Sequence, residues 1–460
     1  MIDGRQKNRS SKSYYSEKRS EALNSEIKAA ESIIAECKPE NPTGTKGMME
    51  EVCNPNNLSR ALKRVKAKKG SAGIDGMTVE ELTAYLKENW KEIREQLLSG
   101  TYKPSAVRRV EIAKPDGGKR KLGIPTVVDR FIQQAIQQVL QGVYDKTFSE
   151  HSYGFRPNKS GKQAVLEAQR YIGEGYRYVV DIDLEKFFDK VNHDRLMSAL
   201  AKRIEDKMML KIIRAYLKAG VMENGLIRPT EEGTPQGGNL SPLLSNIVLD
   251  ELDKEIERRG HRYVRYADDC NIYVRSARAG ERVMRSITKF ITERLRLKVN
   301  EKKSAVDKPS KRKFLGYSFT NEAKPRIRIS VKSLERFKER IREITSRNRG
   351  ISLTRMVKEL MEYVRGWIGY YCYCQTPSIL EGLDSWIRRR LRCFVWKGWK
   401  TFKKRAEELM KRGVWEKEAY AAARSSGLWA MSNKKSLQVA LPNSYFTSNG
   451  FLSLRSFVRV

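Results

Sequence analysis

Hydrophobic and polar residues follow two different patterns along this chain, and the change lies near Ser330. Before it, short stretches rich in β-branched and aromatic residues, such as Tyr176–Asp183, predict buried strands among amphipathic helices. After it, apolar residues recur at three- and four-residue steps through 353–371 and 379–395, which predicts packed helices. The pattern therefore predicts an α+β region followed by an all-α region.

Two segments of the first region have the pattern of strand pairs. Residues 107–125 alternate around Pro115-Asp116-Gly117-Gly118, whose residue types favour a tight turn. Residues 262–266 and 270–275 predict a second hairpin. Its connection, Ala267-Asp268-Asp269, puts two adjacent carboxylates at a hairpin tip, and the strand before residue 184 ends at a third acid, Asp183.

The net charge of the chain indicates its partner, whereas its length indicates only how many domains it can form. With 460 residues and 40% hydrophobic content, the chain is long enough for more than one domain. Lys and Arg number 91 against 55 acidic residues, which gives a net charge of +36. Repulsion among these positive charges destabilises the compact state unless a polyanion neutralises them. We therefore expect a nucleic acid partner. No apolar run approaches 18 residues and no signal peptide follows Met1, so we expect an intracellular protein without a membrane partner.

Cysteine and histidine usage argues against a zinc site. No two cysteines have the C-x-x-C spacing that tetrahedral zinc needs. The six cysteines are Cys37, Cys53, Cys270, Cys372, Cys374 and Cys393. No histidine follows His261, so a zinc- or histidine-dependent nuclease is not expected in the C-terminal third.

Three acids on separate elements, Asp183, Asp268 and Asp269, are the candidate metal ligands. Adjacent carboxylates repel each other, so placing two at one hairpin tip favours a bound cation. Carboxylate oxygens suit Mg²⁺, and two such ions about 4 Å apart stabilise the attacking and leaving oxygens of nucleotidyl transfer. The alternative is an exposed Asp-Asp turn, which is the commoner explanation of such a pair taken alone.

The residues around these acids carry a family resemblance. The hairpin contains Tyr266-Ala267-Asp268-Asp269, the first acid begins Asp183-Leu184-Glu185-Lys186-Phe187-Phe188-Asp189, and Thr234-Pro235-Gln236-Gly237-Gly238 lies between them. In this order the chain resembles reverse transcriptases, and among them the proteins encoded in bacterial group II introns, also called maturases. The resemblance runs from about Asn57 to the C-terminus.

The resemblance implies a right-hand polymerase fold, in which fingers and palm, with an antiparallel palm sheet packed on helices, precede an all-α thumb. The expected divisions are an N-terminal arm that we expect to be mobile (1–47), fingers with an N-terminal extension and the first palm elements (48–175), the palm with the acids (176–322), the thumb or domain X (323–425), and a C-terminal segment with at most a vestigial DNA-binding region (426–460).

The resemblance also assigns roles to residues. Catalysis falls to Asp183, Asp268 and Asp269, and these with Leu184 would hold two Mg²⁺ ions, for which Mn²⁺ would substitute. The predicted nucleotide contacts are Lys114, Arg120, Phe187, Phe188, Gln236 and Lys303. Lys114 and Arg120 would grip the triphosphate. Phe188 would pack under the sugar and exclude a 2′-hydroxyl, with Phe187 as the fallback.

Two further groups of residues are expected to contact nucleic acid. The predicted template and primer contacts are Arg156, Pro157, Gly237, Gly238 and Gly316. The predicted RNA-binding residues of the thumb are Arg388, Arg389, Arg390, Arg392, Lys397 and Lys400. Basic helices with interleaved aromatic residues suit a folded RNA whose phosphates set the affinity.

The function implied is an RNA-directed DNA polymerase that binds its parent intron RNA to assist splicing and copies it during retrotransposition. Its expected partners are group II intron RNA, an RNA template with a DNA primer, target DNA and dNTPs, in the bacterial cytoplasm and at the nucleoid when engaged on DNA. An endonuclease is not expected, so the primer would come from elsewhere. Two alternatives stay open: a splicing cofactor without polymerase activity, and a domesticated or defence-associated reverse transcriptase.

Overall fold

The structure, a computed structural model, describes residues 46–113, 117–223, 226–228, 232–234 and 237–458. It divides into two compact units: the first extends to Ala164 and resumes over Val180–Val306, and the second comprises Val165–Val179 and the chain from Asp307 onward. All but the last two residues of the predicted arm lie outside the described residues, as do Lys114 and Gln236. The predicted domain boundaries stay predictions.

The regular elements of the described residues are as follows. The strands are β1 (Val107–Ala113), β2 (Lys119–Ile124), β3 (Tyr178–Ile182), β4 (Val221–Glu223), β5 (Leu226–Arg228), β6 (Arg262–Tyr266), β7 (Asp269–Val274), β8 (Ala305–Asp307), β9 (Tyr317–Phe319) and β10 (Ile327–Ile329). The helices up to β8 are α1 (Met48–Val52), α2 (Pro55–Lys68), α3 (Leu82–Ser99), α4 (Val127–Tyr144), α5 (Gly161–Gly173), α6 (Phe187–Lys190), α7 (His193–Ala201), α8 (Lys207–Lys218), α9 (Ser241–Arg258) and α10 (Ala277–Glu293). The helices after β10 are α11 (Val331–Ile344), α12 (Leu353–Tyr370), α13 (Pro377–Gly398), α14 (Phe402–Lys411), α15 (Glu416–Ala423), α16 (Leu428–Met431), α17 (Lys435–Ala440) and α18 (Asn443–Ser448).

Helix α4 is the central helix of the first unit. Thr126 caps it, because its hydroxyl accepts a hydrogen bond from the Asp129 amide (3.1 Å) and donates one to the Asp129 carboxylate (2.7 Å). Every residue from Val127 to Ile136 is buried, which leaves this part of the helix no solvent-facing side. Its neighbours include α2, α1 and α9.

Two four-stranded sheets carry the predicted hairpins. One has the order β2-β1-β4-β5, and β1 and β2 pair antiparallel from Arg108↔Ile124 to Ala113↔Lys119. The other has the order β6-β7-β3-β8, and β6 and β7 pair antiparallel up to Tyr266↔Asp269. Both hairpins and the strand leading to Asp183 are therefore confirmed.

The second unit is mainly helical. The apolar stripe of α12 is buried as predicted, and the ring of Phe337 in α11 lies 4.0 Å from that of Trp367. Helices continue through the C-terminal segment to Ser448. An α+β architecture followed by a helical part confirms the predicted fold class. No helix of the described ranges is both long enough and apolar enough to cross a membrane.

Candidate active site

The loop before β8 fixes the main chain around Asp183, which follows the last residue of β3. The Asn300 amide donates to the Asp183 carbonyl (2.8 Å), and the Asp183 amide donates to the Ser304 hydroxyl (3.0 Å). One residue further, Leu184 forms an isolated antiparallel bridge with Val299. These hydrogen bonds fix the position of the Asp183 main chain at the end of the strand.

Asp268 lies at the tip of the β6–β7 hairpin and within electrostatic reach of Asp183. Burial raises the pKa of Asp268 above its usual range, and the negative charge of Asp183 raises it further. The positive charges of Arg120 and Arg265 oppose this rise in the pKa. The fold thus brings together two of the three predicted catalytic acids and the predicted triphosphate contact Arg120.

Asp269 is the first residue of β7. Burial raises the pKa of Tyr273, and the charges of Asp269 and Asp181 raise it further. The Asp269 charge therefore reaches Tyr273, as does that of Asp181, an acid that was not among the predicted site residues. The sequence did contain the signal for Asp181, because residues two apart on a strand face the same side and Asp183 follows at that spacing.

The donor set at this site fits a divalent cation held jointly with substrate. Among the described residues, no group of three or more His, Cys, Asp or Glu side chains is arranged to hold a metal ion alone. Mg²⁺, however, is usually bound by one or two carboxylates together with substrate phosphates. Asp183 and Asp268 supply two carboxylates, and Leu184, whose side chain is buried, has only its main-chain carbonyl to offer.

Lys303 lies beside the first acid. Its Nζ is 4.0 Å from Asp183 Oδ2, and 55% of its side chain is exposed. Exposed ion pairs of this kind contribute little free energy, so this contact does not close the site to a metal ion. Lys303 thus lies beside one of the predicted metal ligands, and its contact with a nucleotide stays a prediction.

The two phenylalanines of α6 differ in burial. Phe187 is 2% exposed, whereas Phe188 is half-buried, and their ring centroids are 5.3 Å apart. The Thr234 amide donates to the Phe188 carbonyl (2.6 Å), and a Cβ on Gly233 would lie 2.9 Å from that carbonyl oxygen. The more accessible ring is thus Phe188, which favours it over Phe187 for the predicted contact with the sugar.

Gly237 is packed too tightly for a side chain, because a Cβ there would lie 2.7 Å from the Gly123 carbonyl oxygen. It also has a φ of 125°, which disfavours other residues. A Cβ on Gly238 would lie 2.8 Å from Oε1 at the end of the Gln133 side chain. The contact that requires glycine at 237 is with β2, and a contact of either glycine with the template stays a prediction.

Arg156 is directed into the protein. Its guanidinium donates to the Asp145 carboxylate (2.8 Å) and carbonyl (2.9 Å) and to the Ser149 and Ser152 carbonyls, and 4% of the side chain is exposed. Neighbouring Pro157 is exposed. A direct template contact by Arg156 would require these bonds to break, so the geometry supports a bracing role for it.

Comparison with known proteins gives two adjacent family matches. Residues 112–319 match the reverse transcriptase (RNA-dependent DNA polymerase) model, and residues 334–413 match the group II intron maturase-specific domain. Protein YkfC of Escherichia coli K12 is 37% identical over 218 residues, which are 46% of this chain and 57% of that protein. Group II intron-encoded protein LtrA of Lactococcus lactis subsp. cremoris is 31% identical over 331 residues, which are 58% of this chain and 55% of LtrA.

The chain is thus similar to reverse transcriptases over residues 112–319 and to group II intron maturases over residues 334–413. It spans a little more than half the length of these two relatives. Among solved structures, a chain of a partial Cas6-RT-Cas1–Cas2 complex is 27% identical, with a TM-score of 0.35, and covers 53% of this chain and 42% of that chain. A score this low adds nothing to the fold described above.

The maturase-specific region contains all four arginines predicted to bind RNA, and the structure gives them other contacts. Arg389 lies 4.0 Å from the Trp429 ring centroid, and Arg388 lies over the Phe451 ring. Arg390 donates to the Thr345 hydroxyl (2.6 Å). These three side chains are half-buried and contact their own protein.

Arg392 is the most buried of this group. It donates to the Leu441 carbonyl (3.0 Å) and to Asn443 Oδ1 (3.3 Å), and it lies over the Phe446 ring. It therefore ties α13 to the C-terminal segment, and direct RNA contact is not the role that its geometry supports. Lys397 and Lys400, in contrast, are exposed, and their RNA contacts stay a prediction.

Gly316 is likewise a packing position. Its φ is 81°, and a Cβ there would lie 2.5 Å from the Tyr371 hydroxyl oxygen. The Ser333 hydroxyl donates to the Gly316 carbonyl (3.1 Å). The glycine at 316 thus has a structural reason within the second unit, and its contact with template or primer stays a prediction.

Proposed function

We propose that this protein is an RNA-directed DNA polymerase that also binds its parent group II intron RNA and assists its splicing. The observation that supports the polymerase activity is the placement of Asp183 after β3 and of Asp268 before β7, two neighbouring strands of one sheet, where the charges of Asp183 and Arg120 both act on Asp268. Two like charges that interact in this way favour a divalent cation as their partner. The two family matches, taken in order, support the pairing of both activities in one chain.

In the proposed reaction, the primer 3′-hydroxyl attacks the α-phosphorus of a dNTP and pyrophosphate leaves. Two Mg²⁺ ions, for which Mn²⁺ would substitute, would supply charge stabilisation to the attacking and leaving oxygens. Asp183, Asp268 and the Leu184 carbonyl would hold them. Arg120 and Lys303 would neutralise the triphosphate, and the exposed edge of Phe188 would pack against the sugar.

Primer extension on an RNA template tests the polymerase proposal. Asp268→Asn should lower the rate by about 10²- to 10³-fold with Mg²⁺ or Mn²⁺, because one negative oxygen is lost from the metal site. Asp194→Asn is the matched control, since Asp194 is 79% exposed and pairs with Arg214. Undiminished cDNA synthesis by Asp268→Asn would contradict the proposal.

Splicing of the parent intron transcript tests the second activity separately. Asp268→Asn should still promote splicing, because RNA binding does not need the metal site. A wild-type protein that promotes splicing but extends no primer would favour the splicing-cofactor alternative. A protein that extends primers but neither binds nor splices intron RNA would favour a domesticated or defence-associated reverse transcriptase.

Nucleotide selection tests the position of Phe188. Phe188→Ala should reduce the preference for dNTPs over rNTPs by about tenfold or more, because the sugar contact that rejects the 2′-hydroxyl is lost. Phe187→Ala, in the core, should instead lower stability. An unchanged preference in Phe188→Ala would exclude it as the selecting residue.

Copying the intron into target DNA would take place where that DNA is, at the nucleoid in the bacterial cytoplasm. Both relatives named above come from bacteria, which supports this location. Crosslinking of the protein to chromosomal DNA in cells that carry the intron tests it, and crosslinks to RNA alone would contradict the DNA step.

A further inference from the structure

A single buried arginine organises the hairpin that carries Asp268. Arg265, in β6, is fully buried and has five N–H donors, and each of them has an acceptor. Two bind the Asp253 carboxylate through Nε (2.7 Å) and Nη2 (2.5 Å), while a third binds the Ser152 hydroxyl from Nη2 (2.7 Å). The remaining two N–H groups, both on Nη1, donate to Asn246 Oδ1 (3.0 Å) and to the Ala267 carbonyl (2.8 Å).

The contact with Ala267 fixes an unusual backbone conformation. Ala267 has a φ of 57°, a left-handed conformation that costs an alanine free energy and persists only where the surroundings enforce it. Gly154 packs against the preceding peptide, between Tyr266 and Ala267, since a Cβ there would lie 2.3 Å from the Ala267 nitrogen. Asn246 Nδ2 donates to the Gly154 carbonyl (2.8 Å), so the residue that accepts one bond from Arg265 also binds the glycine that packs against the turn.

This hydrogen-bond network fixes the position of the turn more than it stabilises the folded protein. A buried ion pair is weak evidence for stabilisation, because desolvation offsets much of the attraction between the charges. An apolar pair of similar volume would fill the Arg265 and Asp253 sites, but it could not bond the Ala267 carbonyl. What the arginine adds is a fixed position for the peptide immediately before Asp268.

We propose that Arg265, with Asn246 as its partner, is a positioning residue that holds the 267–268 turn so that Asp268 meets the divalent cation beside Asp183. The inference rests on the proposed function. Ligands held in advance bind a metal more tightly, and loss of their outer supports typically costs about 10- to 100-fold in metal affinity.

The test measures Mn²⁺ binding directly rather than activity alone. The complex contains the full-length protein, an RNA template, a dideoxy-terminated primer and the matching dNTP, so that no turnover occurs. Free Mn²⁺ is followed by electron paramagnetic resonance. Arg265→Lys keeps a charge opposite Asp253 but loses the planar fork, and it should raise the Mn²⁺ dissociation constant by about 10- to 100-fold.

Asn246→Ala provides a second variant that leaves the Arg265–Asp253 pair intact. It removes one Arg265 acceptor and the bond to Gly154, and it should weaken Mn²⁺ binding in the same direction. Ile213→Ala in α8, fully buried, is the control for general destabilisation. It should lower the melting temperature while the folded fraction binds Mn²⁺ as the wild type does.

The outcomes separate this inference from the proposed function. If either variant folds and binds Mn²⁺ as tightly as the wild type, the positioning role is overturned; if Arg265→Lys does not fold, Asn246→Ala decides. A wild-type complex that neither binds Mn²⁺ nor extends a primer would overturn the proposed function and this inference with it.

Discussion

The acids of the first unit and the α13 arginines of the second share the same sequence signal, a cluster of like charges, but the structure treats them differently. Asp183 follows β3 and Asp268 precedes the neighbouring strand β7, and the pKa of Asp268 is raised by burial and further by the charge of Asp183. The arginines instead contact their own protein, and Arg389 and Arg392 each lie over an aromatic ring of the C-terminal segment. Like charges held together favour an external ligand, whereas charges already bonded within the protein favour a structural role.

The largest expected effect is the loss of primer-extension rate when one of the acids is replaced. Asp183→Asn should lower the primer-extension rate by about 10²- to 10³-fold, because it removes a carboxylate that faces Asp268. Asp269→Asn should cost less, because the charge of Asp183, and not that of Asp269, is among the main causes of the pKa shift of Asp268. Single-turnover rates at saturating Mg²⁺ measure both. Equal losses would mean that Asp269 belongs to the metal site as much as Asp183 does.

The next largest effect is a loss of stability when the buried arginine Arg392 is replaced. Arg392→Ala should lower the free energy of unfolding by about 1–3 kcal/mol, because the Leu441 carbonyl loses its buried donor. Urea denaturation measures this loss. Arg392→Lys, which keeps the charge but not the planar guanidinium, should recover only part of it. A fully stable Arg392→Ala that binds intron RNA poorly would reverse the structural interpretation.

A smaller effect is expected at the exposed lysines of the same unit. Lys397→Ala and Lys400→Ala should leave stability unchanged and weaken intron RNA binding, each reducing the salt dependence of the affinity by about one phosphate contact. Filter binding over a range of KCl concentrations gives this slope. Lys289→Ala, an exposed lysine of α10 paired with Glu293, is the charge-matched comparison. Identical slopes for all three variants would mean that binding reflects net charge alone.

The smallest effect is on stability as a function of pH. The folded pKa of Asp268 lies above that of an unfolded aspartate, so the folded state binds more protons between the two values. Stability therefore falls as pH rises through this interval and stays reduced above it. With EDTA present, Asp268→Asn should be more stable than the wild type at pH 7. The difference should shrink as the pH falls, and a difference that is independent of pH would contradict the raised pKa of Asp268.

Some elements of the fold could be predicted from the sequence, because their signal lies in residues close together along the chain. The 262–275 hairpin could be predicted because side chains alternate along strands, and the Asp183 strand because its apolar residues are contiguous. The family motifs added the partnership of Asp183 with Asp268, which the electrostatics support. Asp181 was missed although its spacing from Asp183 carried the information.

Burial of individual arginines could not be predicted in this way. Arg156, Arg265 and Arg392 are chemically the same residue as an exposed arginine, and their acceptors include backbone carbonyls and distant side chains. Which carbonyl lacks a donor is decided only when the chain is folded. The glycine at 316 is similar, because its role depends on a tyrosine hydroxyl 55 positions away.

The central claim is that Asp183 and Asp268 share a divalent cation. Anomalous diffraction from crystals of the protein with Mn²⁺, an RNA–DNA primer–template and a non-reacting dNTP tests it most directly. We expect a Mn²⁺ peak about 2.1 Å from an oxygen of each carboxylate. A peak elsewhere, or Lys303 Nζ between the two acids with Mn²⁺ present, would contradict the account.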